Sequence, residues 1–366
     1  MFDNIRPLYD SELPKALRTV TESPLFAPLA AFVYPGEEPA DVAKRICAIP
    51  DIFTMQDTVM RAAIMRITAN SITDFTHNGT DQLVKGRPYL FVSNHRDIVL
   101  DAFLLQYLLL HYNELYITFG ANLMQDPIIT LIGRANRMFR VERGGTPKEF
   151  YRNMLQVSQY IRQVIVGDQH SVWIAQRNGR TKAGFDRTEV SILKMFALSG
   201  RSTREAPLAP LKALNIVPVS ISYEWEPCDL LKARELHLRA TGPYKKAKGE
   251  DMNSVLTGIM QPKGHVHLSI NAPLTDEDID RCSATDTPFE NLAALIDRRI
   301  ITGYRLHPTN YLAYDLEHHT NHFANHYSPT LQKQFSHRLS QIPDAEKTIL
   351  LGIYSHPVEQ QYPTLI

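Results

Sequence analysis

The sequence predicts an α/β protein: a central mixed, mostly parallel sheet with surrounding helices, and further helical regions at both ends. Three observations lead there. Between residues 88 and 274, short runs rich in β-branched and aromatic residues alternate with helical stretches, as in strands joined by crossover helices. Before and after that span, apolar residues recur at a spacing nearer 3.6 than 2. Several predicted strands run straight into polar clusters, and open α/β sheets gather their ligands beyond the carboxyl ends of their strands.

The elements follow in order. Residues 1–84 form an N-terminal helical region, in which LPKALRTVTESPLFAPLAAFVYP and TMQDTVMRAAIMRITANSITDFTHNG carry helical spacing and the second stretch stops at Asn78-Gly79. Residues 85–275 form the α/β domain, with strands expected at 88–94, 115–120, 137–143, 171–176, 216–224 and 265–274. A helix should begin after Thr146, where Thr-Pro-Lys-Glu supplies a cap, a first-turn proline and the glutamate of a capping box. Residues 276–366 form a C-terminal helical region punctuated by Tyr, His and Leu.

Composition narrows the function classes. The chain has 366 residues, 44% apolar and 21% charged, with Lys plus Arg and Asp plus Glu equal at 39 each. That balance gives no electrostatic argument for a nucleic-acid partner. The three cysteines, Cys47, Cys228 and Cys282, include no C-x-x-C pair, which suits a reducing compartment. The N-terminus lacks the apolar core of a signal peptide, and the longest apolar run, Ile98–Tyr112, carries Asp101 and Gln106, short of the roughly 20 residues that span a bilayer. A cytoplasmic chain is expected, with contact at the inner face of the membrane still open to it.

The chemistry concentrates in FVSNHRDIVLD, residues 91–101, where a hydrophobic strand gives way to Asn94, His95, Arg96 and Asp97 before the apolar pattern resumes. Imidazole is the side chain suited to taking and returning a proton near neutral pH, and a carboxylate on its second nitrogen would fix the tautomer and stabilise the imidazolium. No G-x-S-x-G motif supplies a nucleophile, so a substrate hydroxyl is the natural candidate, with His95 as its base. Asn94 and Arg96 flank His95 as candidate substrate contacts. Arg143, Arg180 and Lys182, after two further strands, offer charge-assisted bonds to a phosphate, and Gly179 would let the backbone approach a ligand closely. Each has a plainer reading: a hydrogen-bonded turn for His95, surface ion pairs for the two arginines, an exposed loop for Lys182.

Taken together, SNHRD, FRVERGG, AQRNGRTK and PVSISYEWE resemble, in that order, the four blocks of the glycerolipid acyltransferases that act on glycerol 3-phosphate and lysophosphatidic acid. The resemblance covers roughly residues 85–275. It implies His95 as the base of an H-x4-D motif, Arg143 and Arg180 as phosphate contacts, Gly179 and Arg180 in a third block of the G-G-R variant, and Pro218 in the fourth. Two departures stand out. The H-x4-D rule lands on Leu100, so the acid's role falls to Asp101, one residue late, or to Asp97, three early; with Asp101 in that role, Asp97 would cap the next helix or bind Arg96. The third block has Gln176 and Arg177 near the place of the family's glutamate.

The resemblance implies transfer of a fatty acyl group from acyl-CoA or acyl carrier protein to glycerol 3-phosphate or a lysophospholipid, with no metal or redox cofactor. Its rivals are an N-acyltransferase making amino-acid lipids, a thioester hydrolase, and a non-catalytic lipid- or acyl-carrier-binding protein. Elsewhere, PYKKAKGE reads as a solvated turn that could attract an acyl carrier protein or anionic headgroups. His318, His322 and His326 read as a polar helix face that could also hold a metal, and His265 and His267 as packing or surface residues on a strand. Met124, Met138 and Leu105–Leu110 read as core, though they could line an acyl tunnel.

Overall fold

A computed structural model describes residues 2–123, 126–142, 144–202 and 205–365. A seven-stranded sheet organises the chain: β1 (Ile72–Asn78), β2 (Leu90–Ser93), β3 (Leu115–Gly120), β4 (Met138–Val141), β5 (Ser171–Ala175), β6 (Ile216–Tyr223) and β7 (Gly264–Ile270). The spatial order is β1-β7-β6-β2-β5-β3-β4. All neighbours are parallel except β6 and β7, so the sheet is mixed and mostly parallel, as the alternation of elements implies.

The central strands are buried on both faces, which is why they read as apolar runs rather than as alternating patterns. Leu90, Val92, Val172, Ile174 and Ile216 face one apolar layer, which includes Ile161, Phe196 and Ile300. Phe91, Trp173, Val217, Val219 and Ile221 face the other, with Leu100, Leu104 and Leu105. Pro218 sits within β6, where a missing N–H would break a ladder. Its carbonyl turns toward Asn271, whose backbone N–H donates to it at 3.0 Å. The missing donor would therefore point to a side where β7 has already ended.

The sheet begins earlier than the sequence reading has it. Helical spacing carries on past Ser71, but the chain turns into β1 at Ile72 and pairs with β7. Gly79 closes this strand at φ +79°, and a Cβ there would lie 1.8 Å from the Ile270 carbonyl oxygen. Asn78-Gly79 thus ends a strand, not a helix. The helix Pro147–Arg162 starts as expected: Thr146 Oγ1 accepts from Glu149 N at 3.3 Å, and Glu149 Oε2 accepts from Thr146 N at 2.8 Å.

N-terminal helices pack around Leu13, Leu17, Val42, Ile46 and Ile52. The helices Pro308–His318, Pro329–Ser340 and Asp344–Gln361 pack around Leu312, Phe335, Leu350 and Ile353. No described helix is long and apolar enough to cross a membrane.

The histidine stripe is not helical throughout. The helix ends at His318, and His319 adopts φ +55°, so His322 and His326 leave its face. His318 Nε2 instead meets Glu359 Oε1 at 3.0 Å. His265 and His267 share Thr76 Oγ1, at 2.6 and 2.7 Å, as interior packing residues of β7.

Candidate active site

Residues 94–101 leave the carboxyl end of β2, and four strands and loops fix their path. His95 Nδ1 lies 2.8 Å from Asp101 Oδ2. The same oxygen accepts the backbone N–H groups of Arg96 at 2.6 Å and Asp97 at 3.0 Å, and Asp101 Oδ1 accepts the Tyr223 hydroxyl at 2.7 Å. The Asp101 side chain is only 1% exposed, and these donors satisfy the charge that burial would otherwise penalise. Burial first, and then the adjacent Asp101 carboxylate, raise the Tyr223 phenol far above its ordinary range, so it remains a donor.

The extra residue in the His-to-Asp spacing is absorbed by Asp97. Its Oδ1 accepts from Val99 N and Leu100 N, both at 2.8 Å, capping the helix Leu100–Leu109. Asp101 then projects back toward His95 from the first turn of that helix. The third block holds the loop from the other side, where Thr181 N donates to His95 O at 2.7 Å. Trp173 packs edge-on to the imidazole with centroids 5.6 Å apart.

Asn94 and Arg96 are not brought to the ligand-accessible side. Asn94 is fully buried. Its amide pairs with Ile221 N and O at 2.8 and 3.0 Å, extending the ladder where β2 stops. Arg96 is also fully buried. It donates to Asp186 Oδ2 at 2.6 Å, lies 3.6 Å from Glu226, and stacks over the Tyr304 ring. Burial opposes its charge, and the Asp186 and Glu226 carboxylates outweigh that cost. Both residues brace the loop from behind.

His95 opens onto a cavity of about 710 Å³. Part of its wall is apolar, from Phe103, Ile117, Met138, Met154, Met195 and Leu198; part is cationic, from Arg177, Arg180, Lys182, Arg239 and Lys246. Met138 is therefore both core and cavity wall, while Leu105 and Leu109 stay in the core. Met124 and Arg143 lie outside the described residues. Gly179 sits on the wall at φ +77° with open space where a Cβ would project. The Lys182 ammonium is ion-paired with Glu235, which also accepts from Arg239 Nε at 2.9 Å; burial holds Lys182 below the usual lysine range. Arg180 also lines the cavity, and its Nη1 is buried without a hydrogen-bond partner.

Residues 74–222 match the family model for Acyltransferase. The fold is similar to the crystal structure of the 1-acyl-sn-glycerophosphate (LPA) acyltransferase PlsC from Thermotoga maritima, with 14% identity and a TM-score of 0.44 over 80% of this chain and 94% of that chain. No curated protein matches the chain.

The matched stretch supplies His95, Asp101, Gly179, Arg180 and Lys182, and it stops one residue before Tyr223. Tyr223, Arg239 and Lys246 are thus brought to the His95–Asp101 pair and its cavity by chain that follows the match. The sequence reading held Tyr223 only as part of the fourth block and Lys246 only as part of the PYKKAKGE turn, and it missed Arg239. Arg239 and Lys246 stand outside every strand end, on the helix Asp229–Thr241 and the loop after it, and only the tertiary fold returns them to the cavity.

Proposed function

We propose that the protein transfers a fatty acyl group from acyl-CoA or acyl carrier protein to a hydroxyl of glycerol 3-phosphate or a lysophospholipid, acting in the cytoplasm with peripheral contact to the inner face of the membrane. The observation that carries the reading is the 2.8 Å contact between His95 Nδ1 and Asp101 Oδ2 on the wall of a cavity that is apolar and cationic at once. With Nδ1 engaged, Nε2 is the nitrogen left for the acceptor. It would take the hydroxyl proton as the oxygen attacks the thioester carbonyl. Collapse of the tetrahedral intermediate would break the carbon–sulfur bond, and the imidazolium would return the proton to the departing thiolate. Asp101 would hold the imidazole in one tautomer and stabilise its charged form.

An acceptor phosphate would meet Arg180, with Lys182 beside it and Arg143 in the same role, and the apolar wall would receive the acyl chain. No metal or redox cofactor is needed for this chemistry. The test is an acceptor panel with a long-chain acyl thioester: glycerol 3-phosphate, lysophosphatidic acid, glycerol, and an amino acid. Thiol release that requires a phosphate-bearing alcohol supports the reading. Release that requires an amine, or no acceptor at all, replaces it with amide formation or thioester hydrolysis.

A further inference from the structure

The helix Glu250–Met260 lies beyond the acyltransferase match and has two unlike faces. Ser254 and Gly258 are buried, and Gly258 abuts the catalytic loop so closely that a Cβ there would lie 2.3 Å from Asp97 Oδ2. On the opposite face, Met252, Leu256 and Met260 are 41, 55 and 59% exposed. Their spacing of four residues aligns them along the full length of the helix. Apolar side chains so exposed in a row, with small residues seated behind them, mark a surface that meets something apolar.

The loop leading into this helix, Pro243–Gly249, holds Lys245, Lys246 and Lys248. Lys246 pairs with Asp251 at the cavity wall; among the described residues, Lys245 and Lys248 are exposed and enter no ion pair. An apolar stripe with free cations at one end matches the boundary between acyl chains and anionic headgroups. We propose that this face docks on an anionic lipid surface: Met252, Leu256 and Met260 enter the acyl boundary while Lys245 and Lys248 meet lipid phosphates. Because Lys246 and Asp251 line the cavity, docking brings the cavity to the bilayer, where a lysophospholipid acceptor or acylated product resides. The inference rests on the acyl-transfer reading for its purpose, but not for its test.

The test is co-sedimentation of the full chain with vesicles of phosphatidylglycerol and phosphatidylcholine, against phosphatidylcholine alone. The wild type should bind the anionic vesicles and release with salt. L256E should weaken binding at least about tenfold, and K245E/K248E by about thirtyfold at low salt. Both variants should keep the wild-type melting temperature and turnover on a water-soluble acceptor. No vesicle binding by the wild type, or equal binding by L256E, overturns the proposal. So does a wild-type dimer that L256E dissociates, since a second copy would then cover the stripe. An inactive wild type that still binds anionic vesicles would overturn the acyl-transfer reading and leave the docking surface standing.

Discussion

Tyr223 at the end of β6 donates its hydroxyl to Asp101 Oδ1 at 2.7 Å, while His95 occupies Oδ2. Two strands, β2 and β6, therefore meet on one buried carboxylate. Y223F keeps the ring and removes this donor. It should lower kcat/KM about tenfold, the scale of a lost hydrogen bond to a charged group. The loss should fall on kcat rather than on KM, because the bond positions Asp101 and not the substrate. Kinetics that match the wild type would reduce Tyr223 to packing.

Asp97 and Asp101 should separate cleanly. D101N removes the charge that faces His95 and should cost about 100-fold or more in kcat with little change in KM. D97A removes the cap on Val99 and Leu100. It should cost about 1 kcal/mol of stability and only a few-fold in turnover. Thermal melts and steady-state kinetics on both variants decide this, and comparable loss of kcat in both would contradict the assignment.

The two arginines should differ in kind. R180A should raise KM for a phosphate-bearing acceptor by tenfold or so and leave the fold intact. R96M removes the guanidinium that faces both Asp186 and Glu226 in a buried cluster, leaving Asp186 only neutral donors and Glu226 only Lys232. It should destabilise by about 3–5 kcal/mol, visible as a collapsed melting temperature or insoluble expression. A folded R96M with raised KM would return Arg96 to the substrate.

Acid should unfold the protein through its interior histidines. Burial pushes His267 down to about 4 and His307 down to about 3, against about 6.5 in an unfolded chain. The unfolded state therefore binds protons first as pH falls, so this contribution is whole above pH 6.5 and erodes between about 6.5 and 3. Melting temperature measured across that range should fall. H267Q should flatten the fall, because it retains polar contacts without titrating; an unchanged slope would assign the loss to other groups.

The sequence carried the His95–Asp101 pair and most of the sheet because both are written locally. β3 is legible to the residue, since Leu115–Gly120 is an apolar run bounded by polar residues and ending in Gly. His95 stands out because polar residues interrupt a doubly buried strand. β1 was hidden because its residues continue the apolar spacing of the helix before it, and only pairing with β7 makes it a strand. Asn94 and Arg96 looked like ligand contacts because adjacency to His95 is visible in sequence, whereas the Asp186 and Glu226 partners that turn Arg96 inward come from about 90 and 130 residues away. The His318–His326 stripe failed for a single-residue reason: His319 leaves the helix.

The most direct measurement is acceptor-dependent thiol release and lipid product, followed together for the wild type and H95A with an acyl thioester and glycerol 3-phosphate or lysophosphatidic acid. The account predicts equimolar thiol and acylated product from the wild type, and a loss of about 100-fold or more in H95A at unchanged melting temperature. Equal turnover by H95A, or wild-type thiol release with no acylated product, would contradict it.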